Sequence, residues 1–148
     1  MRFAVALLAV AAVTACAAKE EPAADSAAPA AAAAAPTVAD FAGTWNSSSV
    51  LEGVPDTVKS TLTVNADGTG HLTLEGRPNI PVTLSISGDS LITQTAEYES
   101  ILRKGVMTSV RTAGVRSGDT MTGTLVSTYK TPTGDQIVNG TIVSTKAP

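Results

Sequence analysis

After Phe41 the apolar residues of this chain fall on alternate positions, and that spacing limits the fold more than any other feature. Ile80, Val82, Leu84 and Ile86 share one parity, while Pro81, Thr83, Ser85 and Ser87 share the other. A period of two marks a strand with one buried face. Val58, Leu62 and Val64 repeat the pattern, as do Leu72 and Leu74. The turn dipeptides Asp67-Gly68, Gly88-Asp89, Gly118-Asp119 and Gly134-Asp135 interrupt it. Strands placed between these breaks run 43–51, 58–65, 69–76, 80–87, 90–98, 105–116, 120–130 and 136–145. From Thr37 onward the chain is rich in Thr, Ser, Val, Leu and Gly, and β-branched side chains suit a pleated surface.

Each connection is short, so consecutive strands are expected to pair as antiparallel neighbours. No helical period intervenes. The prediction is an all-β domain over residues 37–148, an eight-stranded antiparallel up-and-down barrel, because closure removes the edge strands of a hairpin-only meander. A sandwich is the alternative, although it usually needs longer crossovers. The segments GTLVST (Gly123–Thr128) and GTIVST (Gly140–Thr145) nearly repeat, which is read as two strands meeting similar sites.

The 36 residues before this domain have a different composition. Arg2 is followed by an apolar run from Phe3 to Val13 and then by small residues, the layout of a secretory signal over residues 1–15. The run is too short to span a bilayer, which takes roughly 20 residues. Val13-Thr14-Ala15-Cys16 resembles the lipobox of bacterial lipoproteins. That resemblance implies cleavage before Cys16 and attachment of lipid to its thiol. Ala17 follows Cys16, and by resemblance to sorting patterns in Gram-negative lipoproteins this implies an outer-membrane location facing the periplasm. Residues 17–36 hold twelve Ala and three Pro among twenty positions. The longest alanine run is six residues between prolines, far below the roughly 12 a lone helix needs in water. Residues 16–36 therefore read as a lipidated cysteine and a disordered tether.

The segment Asp40–Asn46, DFAGTWN, carries the only tryptophan. Phe41, Gly43 and Trp45 match the G-x-W that opens the first strand of lipocalins, and the segment is similar to the start of fatty-acid-binding proteins. Both are calycin-type ligand-binding barrels. The resemblance implies that Trp45 plugs one barrel end, that Gly43 permits close backbone approach and that Phe41 packs beside them. The chain departs from both families: it is short, has no helical pattern after the barrel, and leaves no room between Leu51 and Val58 for a helical lid.

Little in the sequence points to chemistry. The net charge is −3, which offers no basic face for nucleic acid. His71 is the only histidine and Cys16 the only cysteine, so neither a metal centre nor a thiol nucleophile is expected in the domain. No nucleophile-elbow motif is present, no cofactor is implied, and the protein is expected not to be an enzyme. The candidate ligand contacts are Tyr98 and Arg103 in the charged stretch AEYESILRKG, together with Tyr129 and Arg111. For strand 105–116, either Val106, Thr108, Val110 and Thr112 face inward, or Met107, Ser109, Arg111, Ala113 and Val115 do. The second choice would offer Arg111 to a ligand carboxylate. The functional expectation is a lipid-anchored envelope module holding a small apolar or amphipathic ligand in or at the mouth of a barrel. The alternative is an envelope inhibitor or assembly lipoprotein with a filled barrel and a protein partner.

Overall fold

Thr37 starts the ordered architecture by bonding forward in the chain. In the computed structural model, which describes residues 34–148, the Thr37 backbone N–H donates to Asp40 Oδ2 at 2.7 Å and its hydroxyl donates to the same oxygen at 2.8 Å. These bonds close a 3-10 helix, Val38–Phe41, that the strand pattern did not foretell. Those two bonds to Thr37, the backbone one foremost, hold the Asp40 carboxyl below its ordinary range. The signal segment, Cys16 and most of the tether lie outside the described residues.

Nine strands follow: β1 (Gly43–Leu51), β2 (Val58–Val64), β3 (Thr69–Thr73), β4 (Ile80–Ser87), β5 (Ser90–Thr95), β6 (Tyr98–Glu99), β7 (Met107–Ser117), β8 (Thr120–Thr131) and β9 (Gly134–Lys146). All pairings are antiparallel. Along the sheet the order is β5-β4-β3-β2-β1-β9-β8-β7-β6, and β5 also pairs with β7. The first strand therefore pairs with the last, from Trp45 opposite Lys146 to Leu51 opposite Gly140. Eight strands form a closed up-and-down barrel, so the sandwich alternative is excluded, and β6 is a short addition at one rim.

Several expected boundaries shift, among them the start of the strand expected over 105–116, which begins at Met107. The strand expected over 90–98 ends at Thr95, where the Ala96 N–H turns to donate to the Pro81 carbonyl at 2.9 Å. The strand expected over 69–76 ends at Thr73. The last hairpin turns on Pro132-Thr133 with Thr131 paired to Gly134, so the Gly-Asp pair opens β9 rather than preceding it.

One end of the barrel is filled. Trp45 is 0% exposed and packs in a cluster with Phe41, Leu62, Val64, Leu91 and Met121, with Leu84 and Ile86 against it. Its Nε1–H donates to the Phe41 carbonyl at 2.8 Å, so the 3-10 helix and the indole fix one another across the barrel end. Lys146 and Arg116 each bring a cationic group to 5.7 Å from the indole centroid, within cation–π reach. Gly43 has a specific reason to be glycine. Its φ is +129°, and a Cβ there would stand 2.7 Å from Lys146 Cε. A side chain at 43 would strain the backbone and displace the lysine stem from its place beside the tryptophan. Gly123 and Gly140 serve closure differently. A Cβ at Gly123 would overlap the Ala113 carbonyl, and one at Gly140 would overlap that of Val50, so these strands coil together more tightly than a side chain allows. The near-repeat thus puts Gly, a large aliphatic and Ser at equivalent inward positions of β8 and β9: Gly123, Leu125 and Ser127, then Gly140, Ile142 and Ser144.

Candidate functional site

Beyond the plug the inward side chains become small and the barrel is hollow. A cavity of about 70 Å³ runs toward the end framed by the loops after β1, β3, β5 and β8. The chain enters at the opposite, plugged end. On the measure that gives a single water about 10–15 Å³, this is room for roughly five water-sized groups. It falls short of the roughly 300–1,000 Å³ of pre-formed sites for drug-sized ligands.

Aliphatic and hydroxyl side chains share its wall. β2, β3, β4 and the turn after β3 contribute Val58, Leu62, Leu72, Leu74 and Val82, with Ser60 among them. The other strands contribute hydroxyls, Ser47 and Ser49 on β1, Thr93 and Thr95 on β5, Thr108 and Thr112 on β7, Ser127 and Tyr129 on β8, and Ser144 on β9, interleaved with Leu51, Val110, Met121, Leu125 and Ile142. Some of these satisfy each other. Ser47 and Ser144 hydroxyls lie 2.7 Å apart, as do those of Thr93 and Thr112. Thr95 Oγ1 accepts the Val110 N–H at 2.8 Å, and the Thr108 hydroxyl donates to the Thr128 carbonyl at 3.0 Å. Ser49, Ser127 and Tyr129 are each only 3% exposed. Among the described residues their hydroxyls meet no protein partner, yet no enclosed side-chain polar atom is left unpaired. Their oxygens therefore open onto the cavity.

The mouth is built by the segment between β5 and β7. β6 pairs Tyr98 with Thr108 and Glu99 with Met107. Ser100, buried at 3% exposure, accepts the N–H groups of Leu102 and Arg103, each at 3.1 Å, on its hydroxyl. The Gly105 N–H donates to Glu99 Oε1 at 2.9 Å. This tight turn sets Ile101 and Leu102 over the cavity opening, 43% and 36% exposed. Tyr98 lines the opening too. Burial, with a smaller contribution from Tyr129, pushes its phenol up to about 12.

The sequence-predicted contacts separate accordingly. Tyr98 and Tyr129 both line the cavity. Arg103 does not; its guanidinium stacks 4.2 Å from the Tyr129 ring centroid and hydrogen-bonds Gln136 Oε1, so it backs a wall residue. Arg111 requires correction. β7 turns Thr108, Val110, Thr112 and Gly114 inward, and Arg111 is exposed on the outer face with no access to a ligand carboxylate. Among Phe41, Gly43 and Trp45, the two aromatic side chains are buried at the plugged end and none of the three lines the cavity. His71 faces outward on β3 between Thr63 and Pro81. Among the described residues, no group of three or more His, Cys, Asp or Glu is placed to hold a metal ion. Sequence reading missed the hydroxyls of the lining, whose signal was the spacing of serines at 47 and 49 in step with Trp45 and Leu51, and of Ser144 in step with Ile142.

Fold and site define a closed eight-stranded barrel with one plugged end and one cavity-bearing end. No protein-family profile and no curated protein matches the sequence. Among solved structures, the chain is similar to bradavidin2 in complex with biotin, with TM-score 0.45 and 18% identity over 69% of this chain and 96% of that one. It is similar to rhizavidin in complex with biotin, with TM-score 0.45 and 12% identity over 79% and 97%. It is also similar to the intact apo form of afifavidin, with TM-score 0.42 and 18% identity over 70% and 81%.

Proposed function

We propose that this protein is a small-ligand binding module of the cell envelope, held to the membrane by lipid on Cys16, and that it is not an enzyme. The supporting observation is the cavity itself: a wall drawn from the inward faces of the barrel strands, with Ser49, Ser127 and Tyr129 opening onto it. The ligand is small, or is the slender end of a larger apolar or amphipathic molecule whose remainder leaves past Tyr98, Ile101 and Leu102. Tyr98 and Tyr129 are its proposed contacts, and Arg103 positions Tyr129. The lipobox-like segment supports the anchor, and Ala17 supports the outer membrane facing the periplasm.

Native mass spectrometry of the intact chain purified from its host tests this reading. A co-purifying small mass, and an N-terminal acyl mass on Cys16, are expected. A clean ligand-free mass combined with no uptake of small apolar probes would count against ligand carriage. In that event a second reading gains weight, binding of a protein partner at the mouth, favoured by the modest cavity and by apolar side chains exposed around that end: Ile101, Leu102, Met107 and Ile137.

A further inference from the structure

Among the described residues, the cavity wall mixes hydroxyl and aliphatic side chains, and no charged residue takes part in it. Aliphatic groups dominate on β2, β3 and β4, with Ser60 among them; the other strands carry hydroxyls such as Ser49, Thr93 and Ser127 beside Leu51, Val110, Leu125 and Ile142. None of the residues around the cavity is Asp, Glu, Lys, Arg or His. Arg111 and His71 sit on the outer face, and Arg103 is stacked against Tyr129 outside the lining.

Resting on the binding reading above, we infer that the buried part of the ligand is uncharged and combines neutral hydrogen-bonding groups with hydrocarbon. Two physical facts lead there. An ion transferred into this space would lose its hydration and meet no counter-charge, which is far costlier than burying a neutral polar group. Each hydroxyl can both donate and accept, so the hydroxyls of the lining suit amides and alcohols alike. The aliphatic side chains between them offer those groups nothing, so a molecule polar all round would leave bonds unmade against Leu62, Leu72 and Leu125. Ionised fatty acids with the carboxylate inward are excluded by the same reasoning, whereas their neutral derivatives fit.

Butanamide and butyrate, nearly matched in shape and differing in charge, test the class. The full chain is titrated with each while the amide signals of Ser49, Thr93 and Ser127 are followed by NMR. Butanamide is expected to shift them saturably and independently of pH. Butyrate is expected to bind about 500-fold more weakly at pH 7, since only the protonated fraction of a carboxyl with pKa near 4.3 enters, and to approach butanamide within about tenfold at pH 5. The Ser49→Ala/Ser127→Ala double variant is expected to weaken butanamide at least fivefold. Both hydroxyls open onto the cavity, so their loss leaves no protein partner unpaired, and the comparison of the two probes stands on the unaltered chain in any case. Equal binding of butyrate and butanamide at pH 7 would overturn the inference and leave ligand carriage intact. Binding of neither would overturn it too, and the co-purified mass then decides separately whether the carriage reading survives.

Discussion

Replacing Trp45 by alanine removes the largest buried side chain from the plugged end. The indole is 0% exposed and touches a cluster built from Phe41, Leu62, Val64, Leu91 and Met121. Truncating a buried aromatic to alanine typically costs about 3–5 kcal/mol, through lost transfer energy and the cavity left behind. Here the change also orphans the Phe41 carbonyl, which accepts the indole N–H at 2.8 Å, and it removes the ring beside Lys146 and Arg116. The upper part of that range is expected. With a urea m-value of about 2 kcal/mol/M for a small domain, a loss of about 4 kcal/mol lowers the midpoint by roughly 2 M. Trp45→Phe separates the contributions, since it keeps most of the apolar area and loses only the N–H and part of the volume. A smaller loss, about 1–3 kcal/mol, is expected for it. Both variants are followed by far-UV circular dichroism, because the fluorophore is the residue removed. Trp45 does not itself line the cavity, though Leu62 and Met121 of its cluster do, and Trp45→Phe, which keeps most of the packing against them, should retain small-molecule uptake. A midpoint for Trp45→Ala within about 0.3 M of the parent would refute the claim that this residue seals the barrel.

Three further outcomes follow from particular contacts. Ser47→Ala and Ser144→Ala each strand the partner's buried hydroxyl and should cost about 1–2 kcal/mol, while the double variant should cost less than the sum; additive losses in chemical denaturation would exclude the bond. Tyr98, its phenol raised to about 12 by burial, should ionise above the usual range near pH 10. Its folded pKa lies above the unfolded one, so its contribution to stability is complete below about pH 10 and is lost as pH rises to about 12. Tyr98→Phe should delete the late phase of a phenolate titration at 295 nm, and a phase for Tyr98 near pH 10 would contradict its burial. Asp67 accepts both the hydroxyl and the N–H of Thr69, at 2.7 and 2.9 Å, and these bonds lower its pKa. Its stabilising effect is therefore present above the ordinary carboxyl pKa and is lost as pH falls through the lower folded value. The denaturation midpoint of the parent should drop more between pH 6 and 3 than that of Asp67→Asn, and identical pH profiles would rule the contribution out.

The strand framework was readable where one face is aliphatic and the other polar. Ile80 to Ser87 is the clearest instance, and β4 occupies the predicted span. Pairing of β1 with β9 was not readable, because nothing in a local pattern records which distant strand an edge will meet; closure was inferred from the need to bury edges. The parity of β7 was ambiguous for a physical reason. Thr and Val on one side face Ser, Ala, Val and Arg on the other, and neither set is clearly the more apolar. The barrel resolves it through volume, since long Met107 and Arg111 stand outside and Gly114 sits inside where Met121 fills the space.

The same logic explains why the site was the least legible part. A rule that sends apolar residues inward works where a strand face is packed against other side chains, and it fails where the face borders a cavity. In β1, Trp45 obeys the rule at the plug, but farther along Ser47 and Ser49 point inward while Val50 is 53% exposed outside. β9 repeats this, with Ser144 buried and Val143 49% exposed. These inversions cost little at a hollow end, since Ser47 and Ser144 satisfy each other and Ser49 faces open space. Filling the same positions with Leu or Ile would extend the solid core toward the mouth and close the cavity. The plug makes that exchange tolerable: Trp45, Phe41, Leu91 and Met121 concentrate buried apolar area at one end, so the other can hold small hydroxyl residues without leaving the barrel short of a core. Inverted serines on β1 and β9, read together with a heavy aromatic plug two residues before the first of them, therefore carry the sequence-level trace of this cavity.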